Sequence, residues 1–573
     1  MRSSGAEPKP NAIAMRRTAF LLLGTILACD MSSRDRAAAA PGAVTLAVVN
    51  ARAWTGNPER PWADAIAVAG ERITAVGSSA EIRKMAGNAE VIDAQGQFLV
   101  PGFIDSHVHF VSGGFRLSSV ELKDADTPQE FVRRIAAFAK TVPAGTWIQG
   151  GDWDNERWGG ELPTRAWIDS VTPNNPVWVN RYDGHMALAN SVALRAAKVS
   201  AATKDVAGGT VVRDAKGEPT GILKDNAMGQ MDDAVTPPPP EVEDRALDAA
   251  MKYVAERGVT TVHNMGTWEE LAIFERAHKA GRLTTRIYAA VPLSTWERLR
   301  DTVQARGSRG DAWLRIGALK GFVDGSLGSR TAAMYAPFDD TPGNTGLWVT
   351  PPETLYARTK GADSAGLHVM IHAIGDRAIG TLLDIFERVE KENGPRDRRF
   401  RIEHVQHIAA KDIPRLGALG VIGSMQPYHA IDDGRFADKP LGRDRASRTY
   451  AFRSLIDAKA TLAFGSDWFV APPSAIEGIY AAVTRRTLDD KNPDGWFPEQ
   501  KISVEEALRA YTVNAAYAQF AERDKGSLEV GKLADFALIN RDLTKIPPAE
   551  IKDARVALTV VGGKVVHRQS QSP

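Results

Sequence analysis

The chain carries short apolar runs broken by polar turns at both ends, and apolar runs alternating with helical repeats in between. From Val44 to Val100 the runs "VTLAVVN", "DAIAVAG", "RITAVG" and "EVIDA" are separated by Gly and polar residues, which predicts a small β unit. The far end repeats the pattern in "LADFALIN" and "RVALTVVGGKVVH". The two ends are expected to pair into one composite β-sandwich, with 44–100 as its N-terminal part and 524–573 as its C-terminal part.

Over 101–523 strand-like and helix-like runs alternate. "GVTTVHNMG" follows the helical pattern "EDRALDAAMKYVAER", and "LRIGALKGFVDG", "LHVMIHAIGD", "RFRIEHVQH", "GVIGSMQP" and "ATLAFGSDW" come after it. Such alternation predicts an α/β fold with a parallel sheet. Every one of these runs ends in polar chemistry: His263, Lys320 with Asp324, His372 with Asp376, His404 with Gln406 and His407, Gln426, and Asp467. A TIM barrel builds its active site at the C-terminal ends of its strands, so a TIM-like (β/α) barrel is the expected architecture. The stretch 111–240 is too long for one βα connection and is expected to be an inserted lid or subdomain.

The run "PGFIDSHVHF" raises the question of a metal. If Phe103 to Phe110 is a strand, its side chains alternate, and His107 and His109 share a face. Paired imidazoles at a strand end suit a metal ion, although a His-x-His pair taken alone is equally compatible with a packed structural feature.

Composition narrows the choices. A chain of 573 residues with 43% hydrophobic content buries a large core. Lys and Arg number 71 against 70 Asp and Glu, and no basic run with interleaved aromatics occurs, which argues against a nucleic-acid partner and for a small neutral or mixed substrate. The single cysteine excludes an internal disulfide framework and a cysteine-based zinc site, so any metal must be held by His, carboxylate or another oxygen.

That cysteine, Cys29, closes "MRRTAFLLLGTILACD", where two arginines precede an apolar stretch too short to span a bilayer. Residues 1–29 read as a signal peptide of lipoprotein type, with Met15 as the expected start and 30–43 as a linker. The mature protein is expected to be exported to the periplasmic side of a bacterial envelope and attached to the membrane by a lipid on Cys29.

The motifs "PGFIDSHVHF", "KGFVDGSLGSRTA", "HAIGDRA", "RIEHVQH", "FGSDW" and "GSLEVGKLADF", in this order, resemble the amidohydrolase superfamily. They are most similar to its family-3, YtcJ-like branch, which includes N-substituted formamide deformylases. The resemblance implies metal ligands His107 and His109 on the first barrel strand, Lys320 on the fourth, His372 and His404 on the fifth and sixth, and Asp467 on the eighth. It implies a divalent metal, with zinc suited to the donors, at one or two ions per chain, and a carbamylated Lys320 as the bridge between two. An unmodified Lys320 paired with Asp324 is the alternative.

The expected reaction is hydrolysis of a non-peptide C–N bond in a small amide-type molecule by a metal-activated hydroxide. Asp467 is the expected catalytic residue, carrying the water's proton to the leaving nitrogen. Ester, lactone or carbamate hydrolysis at the same centre, and a non-catalytic surface receptor for small molecules, stay open. His185 in "NRYDGHMALAN", Trp153 in "GDWDNERW" and Arg330 in "DGSLGSRTA" are the expected substrate contacts, each with a structural reading beside the functional one. "GSLEVGKL" imitates a P-loop but has Leu533 where Ser or Thr is required, and no Gly-x-Ser-x-Gly elbow occurs. Oligomeric state stays open, a homodimer being compatible.

Overall fold

The computed structural model describes residues 42–569. The expected signal segment, Cys29 and nearly all of the linker lie outside them. At the centre is an eight-stranded sheet in which each neighbouring pair is parallel. Its strands are β1 (Phe103–Val108), β2 (Val259–Met265), β3 (Arg286–Pro292), β4 (Leu314–Phe322), β5 (His368–Ala373), β6 (Arg401–His404), β7 (Ile422–Met425) and β8 (Leu462–Phe464). Every position of β1, β2 and β5 is buried, as expected of parallel strands covered on both faces.

The sheet closes into a barrel through the residues just past β8. Val108 bridges Trp468 in parallel, and the Asp467 N–H donates to the His107 carbonyl at 2.7 Å. Gly465 permits this approach: a Cβ there would lie 2.5 Å from the His107 nitrogen and 2.8 Å from Asp105 Oδ1. The expected TIM-like barrel is present. Strand β3 is not betrayed by a polar ending, because "RIYAAVP" stops at Pro292 rather than at a ligand-type side chain. Strand β1 is shorter than the expected Phe103–Phe110, since His109 sits at the N-cap of a helix, Phe110–Arg116.

Both chain ends build the remaining β structure. A four-stranded sheet has the order Arg72–Gly77, Ala65–Ala69, Leu46–Val49, Glu90–Asp93. A six-stranded sheet has the order Lys564–Arg568, Val556–Val561, Phe536–Ile539, Phe98–Pro101, Arg52–Trp54, Trp62–Ala63. The ends join where Phe98–Pro101 runs antiparallel to Phe536–Ile539, with Leu99 opposite Leu538. Leu46, Val48, Ile66, Val68, Leu99, Phe536, Leu538 and Val560 share one apolar core, as the expected composite sandwich requires. Arg286, at the start of β3, fastens this unit to the barrel through Asp535 at 2.7 and 3.0 Å, both groups buried.

Within 111–240 lies a six-stranded mixed sheet, in the order Gly209–Arg213, Pro219–Asp225, Met186–Ala189, Val177–Arg181, Ile148–Trp153, Val120–Glu121. It has its own core of Phe131, Ile135, Trp153, Val179 and Leu188, among others. The helices on either side of it, Phe110–Arg116 and Pro240–Ala255, pack against each other. No helix among the described residues is long and apolar enough to cross a membrane.

Candidate metal centre

Strands β1, β4, β5 and β6 and the turn after β8 bring His107, His109, Lys320, His372, His404 and Asp467 together at the C-terminal mouth of the barrel. Asp467 Oδ1 lies 3.4 Å from His107 Nε2 and 3.3 Å from His109 Nε2. Lys320 Nζ is 3.2 Å from His107 Nε2. The His372 and His404 rings are 4.5 Å apart between centroids, and His404 is 4.9 Å from His107.

One nitrogen of each buried imidazole is already engaged. His107 Nδ1 meets Glu403 Oε2 at 2.7 Å, His372 Nε2 meets the Gly325 carbonyl at 3.0 Å, and His404 Nδ1 meets Gln426 Oε1 at 2.8 Å. Since all three partners are acceptors, each ring donates there and keeps a lone pair on its other nitrogen, the form that binds a metal. Burial holds these three rings well below the ordinary imidazole range, with Lys320 adding to the effect at His107 and neighbouring histidines at His372 and His404.

Asp467 is the complementary group. Burial alone would raise its pKa, but His107 and His109 outweigh it and keep the carboxyl below its ordinary range. Its Oδ1 is buried without a hydrogen-bond partner. Ligand atoms of His107, His109 and Asp467 all fall within 4.8 Å of one another. An orphaned carboxylate oxygen facing two imidazole nitrogens is what a divalent cation satisfies, so the residues present fit a metal.

Lys320 is buried, and burial lowers its pKa to about 8. It does not pair with Asp324. That carboxylate instead accepts backbone N–H groups of Ala333, Ile374 and Gly375 at 2.8, 3.0 and 2.8 Å, and so ties down the loops after β4 and β5.

The backbone is strained around the centre. His404, Val405 and Asp467 have φ of 78°, 47° and 58°, in the left-handed region that non-glycine residues avoid. Each costs about 1–3 kcal/mol, and such conformations collect at functional sites. Behind the centre, Arg401 donates to Glu403 Oε1 at 2.9 Å, to His263 Nδ1 at 2.8 Å and to the Ser106 carbonyl at 2.7 Å. His263 thus supports Arg401, and His407 hydrogen-bonds Thr449 Oγ1 at 2.8 Å.

A narrow cleft of about 40 Å³ opens over the centre, lined by His185, His372, His404, His429 and Asp467 and roofed by Arg181–Asp183 of the insert. His185 reaches it: Nδ1 is 2.7 Å from Asp225 Oδ1, and the ring is 4.9 Å from that of His372. Gly328 is required in the wall, since a Cβ there would lie 2.2 Å from the Arg181 guanidinium.

Two expected substrate contacts are corrected. Trp153 is fully buried in the core of the insert, where it donates to the Val179 carbonyl at 2.9 Å and meets Phe131 edge-on. Arg330 turns away from the cleft to pair with Asp340 at 2.6 Å and Glu156 at 3.2 Å. One residue enters that sequence reasoning overlooks. His429, on the helix Pro427–Asp433 after β7, is 8% exposed and lines the cleft. One of its ring nitrogens, one of His404's and an Asp467 oxygen all lie within 4.8 Å of each other. A histidine just past a strand end is the signal that "SMQPYHAIDD" offers.

The sequence and the fold have known counterparts. The chain matches the amidohydrolase family over residues 90–567. It belongs to that family. This amidohydrolase is 42% identical over 539 residues to the Arabidopsis thaliana protein LONG AFTER FAR-RED 3, covering 91% of each chain. It is 30% identical to the putative amidohydrolase YtcJ of Bacillus subtilis, over 87% of this chain and 94% of that one. To the N-substituted formamide deformylase of Arthrobacter pascens it is 29% identical, over 92% and 99%. Among solved structures it resembles an uncharacterized metal-dependent hydrolase of Pyrococcus horikoshii OT3, at 26% identity and a TM-score of 0.71, covering 88% of this chain and 99% of that one. The family, fold and enzyme class expected from the sequence therefore stand: the protein is a metal-dependent hydrolase of the amidohydrolase family.

Proposed function

We propose that this amidohydrolase hydrolyses the C–N bond of a small non-peptide amide, with His107, His109, Lys320, His372, His404 and Asp467 holding zinc. The observation that carries the reading is the orphaned Oδ1 of Asp467, which faces His107 Nε2 at 3.4 Å and His109 Nε2 at 3.3 Å. The formamide deformylase relative supports an amide-type substrate.

A bound divalent ion lowers the pKa of a coordinated water towards neutrality and polarises the scissile carbonyl. Asp467 accepts the proton of the attacking water and passes it to the leaving nitrogen. His185, held by Asp225, donates a hydrogen bond to the carbonyl oxygen as negative charge develops there. Lys320, whose burial favours the neutral amine, is the form that adds carbon dioxide, and its carbamate would supply two oxygens to bridge two ions.

Elemental analysis of the purified protein, paired with turnover of N-butylformamide and of a lactone, tests this. About two divalent ions per chain and amide turnover lost on chelation are expected. No bound metal after supplementation, or turnover indifferent to chelator, would overturn it, and lactone turnover without amide turnover would reassign the substrate. Export and lipidation at Cys29 are part of the same proposal; labelling with a fatty-acid analogue that persists in Cys29→Ala would remove the anchor.

A further inference from the structure

The cleft over the candidate metal centre carries a histidine outside the expected ligand set. His107, His109, Lys320, His372, His404 and Asp467 would hold the metal, and a catalytic ion would keep a position open for water and substrate. His429 lines the cleft beside them. Its Nε2 is buried and has no hydrogen-bond partner. In the tautomer protonated at Nδ1, the neutral ring presents a lone pair at Nε2. Of the other acids lining the cleft, Asp467 faces the expected metal ligands and the rest are already paired. Asp183 accepts from Arg181 at 2.7 Å and from the His185 N–H, Asp433 from Gln406 at 2.7 Å, and Asp432 pairs with Arg435.

We infer that His429 touches the substrate, its Nε2 accepting the N–H of a secondary amide whose carbonyl faces the metal centre, and so selects secondary amides over esters and tertiary amides. This rests on the amide-hydrolase reading and narrows it. An N–H donor in the substrate satisfies the orphaned nitrogen, whereas an ester oxygen or an alkylated nitrogen leaves it buried and unpaired.

The test compares wild type, His429→Asn and His429→Gln on N-butylformamide, N-butyl-N-methylformamide and butyl formate, with metal content measured in each protein. The Asn amide ends near the Nδ1 position and does not reach the Nε2 position, which the Gln amide does reach. For His429→Asn the ratio of kcat/KM for N-butylformamide to that for butyl formate is expected to fall about tenfold, the loss of one hydrogen bond. His429→Gln should recover part of that ratio, with metal content equal in all three. Equal falls on all probes would overturn the inference, and so would loss of a metal ion, which would make His429 a ligand. Calorimetric binding of N-butylformamide to the metal-loaded proteins separates the two readings. If wild type hydrolyses none of the probes yet binds N-butylformamide at least tenfold tighter than His429→Asn, the hydrolytic reading fails and the contact stands. Equal binding with no selectivity change removes the contact.

Discussion

Asp467 and His107 meet twice: the Asp467 backbone N–H donates to the His107 carbonyl at 2.7 Å, and Asp467 Oδ1 lies 3.4 Å from His107 Nε2. The seam that closes the barrel is therefore formed by the same pair of residues that belongs to the candidate metal centre. Closure and ligand geometry cannot vary independently.

Gly465→Ala tests that coupling. The added methyl must displace the His107 backbone, so the variant is expected to lose about 1–3 kcal/mol of stability and to bind metal more weakly than a core variant of equal stability. Denaturant unfolding and chelator competition measure the two; weakened stability with unaltered metal affinity would separate seam from site.

Glu403→Gln removes the charge that His107 Nδ1 donates to while keeping its shape. Metal affinity is expected to fall about 10–100-fold, the usual effect of losing a carboxylate behind a histidine ligand. The carboxylate also balances Arg401, which is buried and would then lack its counter-charge. Stability should fall as well, and an unchanged affinity would show that orientation alone matters.

Lys320 titrates at about 8, pushed down by burial. Its neutral fraction in the metal-free protein rises with pH up to that value, whereas an ordinary lysine near 10.4 stays charged. Reactivation of metal-free protein by zinc and bicarbonate is therefore expected to speed up about tenfold per pH unit below 8 and to level off above it. Reactivation that ignores bicarbonate would remove the carbamate.

Asp433 has the opposite sign. Burial, with Asp432 beside it, raises its pKa to about 8. The folded protein keeps this proton between pH 4 and 8 while the unfolded chain releases it, so its contribution is fully present below about pH 4 and is lost as pH rises towards 8. Relative to wild type, Asp433→Asn should gain thermal stability steadily across that window. A difference in Tm that is flat with pH would contradict the raised value.

Trp153→Phe is expected to lower stability through lost packing and the unpaired Val179 carbonyl, and to leave KM within about twofold, because Trp153 belongs to the core of the insert. A large change in KM with normal stability would return it to the cleft.

The candidate ligand set is legible in the sequence because parallel strands buried on both faces read as apolar runs, and a polar residue at the end of such a run stands out. His372, His404 and Asp467 stand out in this way, as does the pairing of the two chain ends. The residues misread are those whose role depends on partners distant in sequence. Nothing around Trp153 announces Phe131 beneath it, and nothing in "GSLGSRTA" announces Glu156 on the insert. His429 escapes because it follows β7 on a helical turn, where the period-2 rule that ranks strand-end residues no longer applies. Strand β3 escapes because it supplies packing and the Arg286 anchor rather than a ligand.

The antiparallel pairing of Phe98–Pro101 with Phe536–Ile539 has a consequence in time. The strand that leads into His107 emerges from the ribosome more than four hundred residues before its partner. Until the last segment is made, the first strand of the barrel has an unpaired neighbour and the seam at Asp467 has nothing settled to close on. The support beneath the candidate metal-binding mouth is thus completed only after all six of its side chains have been made.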